Sequence, residues 1–157
     1  MGEEQLRRRS RDVKSLVTSS VRRAEIVLSI IGLAAGIAGL VVAAGLPVTS
    51  SKGELVASFG PSFNPLGGVV VTVVATVGLV GAVTRKPLLV LAAAGGFGLC
   101  ALQVIVQFGR DTNWLGSRGS NLSLSLALAM GLGALALTER AASGRGILRS
   151  WRARRRA

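Results

Sequence analysis

Four apolar blocks divide the chain, and the charged residues gather in the segments that separate and flank them. The blocks run from Ile26 to Leu46, "IVLSIIGLAAGIAGLVVAAGL", from Leu66 to Val83, "LGGVVVTVVATVGLVGAV", from Leu88 to Phe108, "LLVLAAAGGFGLCALQVIVQF", and from Leu122 to Leu137, "LSLSLALAMGLGALAL". A hydrocarbon layer about 30 Å thick takes roughly 20 helical residues to cross. The first and third blocks reach that length alone, and the second reaches it with its flanks. The fourth reaches it once the uncharged Ser120, Asn121 and Thr138 are added. The pattern predicts spans at about 24–46, 66–84, 87–108 and 120–138. The fold class expected is an all-α integral membrane protein, a four-helix transmembrane bundle.

The fourth block alternates Leu with small residues, which by period alone is a strand pattern. It contains no β-branched residue, and an isolated strand in lipid leaves its backbone groups unpaired at several kcal/mol each. A helix is therefore predicted, with leucine spread around its circumference. The valine-rich second block is helical by the same backbone argument.

Charge sets the expected orientation. Arg7, Arg8, Arg9, Arg11, Lys14, Arg22 and Arg23 precede the first span, and Arg85 and Lys86 sit in the turn between spans two and three. Arg140, Arg145, Arg149, Arg152, Arg154, Arg155 and Arg156 follow the fourth. The other two loops hold Lys52, Arg110 and Arg118. This alternation predicts cytoplasmic N- and C-termini. The chain then reads as a basic cytoplasmic segment at 1–23, a four-span domain at 24–138 and a polybasic tail at 139–157. A cleaved leader is the other reading of the N-terminus, but the first apolar block is too long for one.

Hydrophobicity does not drive helices together in lipid; close backbone approach and polar contacts do. Ser29, Gly32, Gly36, Gly39 and Ala43 form a stripe on span one, Gly68, Thr72, Ala75 and Ala82 on span two, and Ala93, Gly96, Cys100, Gln103 and Gln107 on span three. Gly32, Gly36, Gly39, Gly96 and Cys100 are the expected packing positions. The short "RKP" turn makes spans two and three antiparallel neighbours. The loop from Pro47 to Pro65 reads as a connector, with Phe59, Phe63, Phe108 and Trp114 as interfacial anchors.

Composition narrows the chemistry. The 157 residues carry a net charge of +12, no histidine and one cysteine. Histidine is the commonest general base and a usual ligand of zinc and haem, so no cofactor, metal site or enzymatic activity is expected. Cys100, in apolar surroundings, is an unreactive packing residue. Arginine outnumbers lysine, and Ala, Gly, Val and Leu dominate. This bias points to a GC-rich bacterial genome, with actinobacteria the expected source and the plasma (inner) membrane the expected location.

Two stretches carry what polar signal there is. Gln103, Gln107, Arg110, Asp111 and Trp114 follow one another at the exit of span three. They read either as interhelical contacts followed by a headgroup-facing exit, or as a polar notch open to the outside. In the tail, Arg145, Arg149, Arg152 and Arg156 share one helical face, with Trp151 away from it. That arrangement suits contact with the anionic inner leaflet. Nucleic acid is not an expected partner, because basic cytoplasmic ends are general in this topology.

The length and helix count resemble the small four-helix multidrug exporters. That family's proton coupling implies a carboxylate within the membrane, and the acids nearest the spans here are Glu25 and Glu139. Both read as interfacial partners of Arg22, Arg23 or Arg140, so the resemblance stops at size and helix count. The expected function is a non-catalytic accessory, assembly or scaffold component of a membrane complex, with a membrane-protein partner or a second copy of itself. The alternative is a small oligomeric transporter or channel using Gln103 and Gln107, and the third reading is a lipid-modifying enzyme using Asp111.

Overall fold

The computed structural model describes the backbone of residues 2–57, 60–108, 110 and 112–154. It describes side chains at residue 5 and at 15–142 apart from 58, 59, 109 and 111. Its helices are α1 (Gly2–Val42), α2 (Pro65–Thr84), α3 (Pro87–Gln107) and α4 (Gly119–Arg154). Two short strands, β1 (Glu54–Leu55) and β2 (Ser62–Phe63), pair antiparallel with Glu54 opposite Phe63. Within the helices, Ser15–Val42, Pro65–Thr84, Pro87–Gln107 and Gly119–Ala142 are each long and apolar enough to cross a membrane.

The helix boundaries follow from local chemistry. Asn64 caps α2 by accepting from the Gly67 N–H at 2.8 Å, and Pro65 takes the first helical position, where its missing N–H costs nothing. At the other end Arg85 adopts the left-handed conformation, φ 57°, and the Lys86 N–H returns to the Gly81 carbonyl at 2.9 Å. Pro87 then opens α3. This compact reversal makes α2 and α3 antiparallel neighbours, as their short connection predicts. By contrast, the N-terminal basic segment and the first span are one continuous helix of 41 residues. At about 60 Å it is twice the thickness of a hydrocarbon layer.

Packing inverts the usual size order of a soluble protein. The buried positions are mostly small: Gly32, Gly36, Gly39, Ala43, Ala75, Gly78, Ala82, Ala93, Ala94 and Ala136. Large aliphatics such as Ile30, Val41, Val73, Leu99, Ile105 and Met130 are about half exposed or more. An apolar exterior of this extent is unusual in a water-soluble monomer. Small interior residues let the backbones approach. A Cβ on Gly36 would lie 2.7 Å from the Thr72 backbone nitrogen, so α1 and α2 touch main chain to main chain there. The principal pairs are α1 with α2 and α3 with α4, closed into a bundle by α2 on α3 and α1 on α4.

The centre is filled from α3. The fully buried Phe97 ring reaches α1, where a Cβ on Gly32 would meet its Cζ at 3.1 Å and the Ala75 Cβ at 3.3 Å. Leu128 and Leu132 of α4 join it. The fourth helix, with leucine spread around its circumference, buries one face at Asn121, Ser125, Leu128, Leu132 and Ala136. Alternation at period two hides a face of period 3.6, since Leu and small residues follow one another along nearly the whole apolar run.

Candidate functional site

The bundle has two unlike ends. At one, the connections α1–α2 and α3–α4 meet over the helix termini in a hydrogen-bonded cap. At the other lie the α2–α3 turn, the first half of α1 and the end of α4.

The cap is assembled by side chains in the apolar-flanking loops. Asn64, fully buried, donates its Nδ2 to the Ser50 carbonyl at 2.8 Å and to the Trp114 carbonyl while its Oδ1 caps α2. Asn121, at the start of α4, bonds both backbone groups of Ser62: its Oδ1 accepts from Ser62 N at 2.9 Å and its Nδ2 donates to Ser62 O at 2.8 Å. The same Oδ1 accepts from Arg118 N at 3.0 Å. Ser62 Oγ donates to Gly116 O at 2.8 Å. The two connections are thereby cross-braced, and buried loop backbone finds the partners it needs. Beneath the cap lies a cavity of about 10 Å³, between Phe63, Cys100, Gln103, Val104 and Ser125 among others.

Gln103 and Gln107 serve that cap. Gln103 Nε2 donates to Gln107 Oε1, Gln107 Oε1 accepts from Trp114 N at 3.1 Å, and Gln103 Oε1 accepts from Ser117 Oγ at 3.3 Å. Among the described residues, their bonds tether the loop that leaves their own helix. Both are half-buried, whereas Arg110 and Trp114 are exposed. Asp111 lies outside the described residues. A double replacement, Gln103→Leu with Gln107→Leu, is expected to cost about 2 kcal/mol, roughly 1 per lost loop bond. Faster backbone amide exchange at Trp114 and Ser117, with the helix interiors unchanged, is the expected reading.

The sequence-derived packing positions sit inside the bundle. Gly32, Gly36, Gly39 and Cys100 are buried, and a Cβ on the half-buried Gly96 would lie 3.0 Å from Val74 Cγ1. Of the tail, α4 carries the backbone through Arg145, Arg149, Trp151 and Arg152 as helix, while their side chains and all of Arg156 lie outside the described residues.

The opposite end departs from the sequence reading. Glu25, expected at the interface beside Arg22, is 1% exposed, and Ser29, one turn further in, is 0% exposed. Arg22 turns to α2: its Nε donates to Ala82 O at 3.1 Å and its Nη2 to Val83 O at 3.0 Å. It thereby satisfies carbonyls that the last turn of a helix leaves open. Glu25 Oε1 and Ser29 Oγ are the two buried side-chain oxygens without a hydrogen-bond partner among the described residues. Among the described residues, Glu139 of α4 and Arg22 are the charged groups whose fields reach Glu25. Next to them a cleft of about 710 Å³ is lined by Ser15, Thr18, Ser19, Arg22, Arg23, Ile26, Arg85 and Glu139.

Sequence reasoning missed Asn64, Asn121 and this acid. "FNP" at Phe63 to Pro65 is a helix-start signature that marks Asn64 as a cap. Glu25 extends the Ser29–Gly32–Gly36–Gly39–Ala43 stripe by one more step of four, and that step marks its inward face. No protein-family model matches the chain, and no curated protein or solved structure is detectably similar to it.

Proposed function

We propose that this chain is a non-catalytic component of a membrane complex, an accessory, assembly or scaffold subunit of the plasma membrane of a GC-rich bacterium. Its partner is a membrane protein or a second copy of itself. The observation that supports this reading is the closed cap: cross-braced loops over about 10 Å³ of space, above small-residue seams. A single chain packed in this way suits holding and presenting a surface better than conducting a solute. The rival reading, a conduit lined by Gln103 and Gln107, loses support because both side chains are engaged in tethering the cap.

Orientation belongs to the same proposal. The cap end faces outward and the turn end, with its arginines, faces the cytoplasm beside anionic lipid. Extraction of the full chain from native membranes in mild detergent is expected to recover a stoichiometric companion that survives a salt wash, or a defined homo-oligomer. A monodisperse monomer together with solute flux in liposomes would overturn the reading.

A further inference from the structure

A carboxyl group inside a bundle of apolar helices is expensive, and membrane proteins that retain one put it to use. Glu25 is such a group. It lies within the Ser15–Val42 segment, buried by the packing of α1 against its neighbours. Ser29 follows it at i+4, on the same helical face, with a buried hydroxyl. Neither Glu25 Oε1 nor Ser29 Oγ has a hydrogen-bond partner among the described residues. Two adjacent buried oxygens without partners carry a large desolvation penalty that something must offset.

We propose that Glu25 and Ser29 form a proton-binding site inside the bundle, loaded through the cleft at the turn end and sealed from the other side by the cap. The surroundings select the ligand. Among the described residues, Glu139 of α4 and Arg22 of α1 are the charged groups whose fields reach Glu25. From α2, Gly78 approaches Ser29, since a Cβ there would lie 3.0 Å from Ser29 Oγ. That same point is 3.2 Å from Ala93 of α3 and 3.7 Å from Leu132 of α4, both apolar. A hard metal cation takes six or more oxygens, and the described residues hold no cluster of metal-ligating side chains. An anion meets two carboxyl groups. A proton needs no such shell. On binding, the carboxylate accepts H⁺ from hydronium, releases water and becomes a neutral acid. The Ser29 hydroxyl stands one turn further along the same helical face.

Access is one-sided. Glu139 both acts on Glu25 and lines the 710 Å³ cleft, so the site adjoins open space at the turn end. Toward the cap, Phe97 and the small-residue seams fill the interior. A proton that enters by the cleft therefore leaves by it, which makes the site a sensor of pH on that side. That this side is the cytoplasm rests on the orientation proposed above; the site itself does not.

The test uses the full chain in lipid vesicles and the apolar reagent dicyclohexylcarbodiimide, which adds to protonated carboxyl groups in apolar surroundings to give a stable N-acylurea. Peptide mass spectrometry is expected to find Glu25 modified, with modification falling about tenfold per pH unit above its midpoint. Glu25→Gln is expected to remove the adduct, and Ser29→Ala to shift the midpoint. No adduct at Glu25 at any pH, an unmoved midpoint in Ser29→Ala, or suppression by sodium at constant pH would each overturn the proposal. Labelling reads neither partner binding nor flux, so its failure is distinct from failure of the subunit reading.

Discussion

Gly36→Ala is expected to force α1 and α2 apart and to cost about 2 to 3 kcal/mol. The added Cβ would sit 2.6 Å from Thr72 Oγ1, 2.7 Å from Thr72 N and 3.1 Å from Thr72 Cα. A hydroxyl can rotate away, but main chain cannot, so the helices must separate along their length. Separation forfeits dispersion contacts along the α1–α2 seam, within the usual range for overpacking. Gly98→Ala is the control, because nothing lies within 4 Å of a Cβ placed there, and it is expected to stay within about 0.5 kcal/mol of the parent. Loss of helicity on titrating mixed micelles with a denaturing detergent measures both. Equal midpoints for the two variants would refute the close approach of α1 and α2.

Asn64→Ala is expected to cost about 3 kcal/mol and to loosen the whole cap. The side chain has three partners: Gly67 N, which it caps, and the carbonyls of Ser50 and Trp114. Loss of an N-cap costs about 1 kcal/mol, and each buried carbonyl left unpaired costs about 1 or more. Asn64→Ser separates the two effects. A serine keeps an oxygen for Gly67 N but cannot reach both carbonyls, so it is expected to recover only about 1 kcal/mol of the loss. Accelerated amide exchange in residues 48–66 and 112–118 together, in both variants, is the signature of a cap that acts as one unit. Acceleration confined to the first turn of α2 would limit Asn64 to a local helix cap.

Much of the bundle is legible along the chain, for a definite reason. In α1 the residues differ enough in size for period and packing to agree. The stripe Ser29, Gly32, Gly36, Gly39 and Ala43 coincides with the buried face, while Ile30, Ile31, Ile37 and Val41 point away from it. On α3 the stripe through Ala93, Gly96 and Cys100 lies at one side of the true buried face, whose centre is Phe97. The sequence stripe passes Phe97 by, yet its ring fills the space that Gly32 and Ala75 leave.

By itself the sequence determined four helices, because uncharged runs of that length leave no other way to satisfy a backbone in an apolar medium. It also determined the tight reversal at Arg85 to Pro87 and the packing face of α1, which depend on residues close together in the chain. Tertiary structure alone decided the rest. Asn64 and Asn121 became braces because loops 50 or more residues apart arrive over the same helix ends. Glu25 became an interior group because Arg22 found carbonyls 60 and 61 residues away, on α2. A side chain's partner across the bundle is not encoded at its own position, and for a buried polar group that partner decides whether it braces the fold or stands ready to bind.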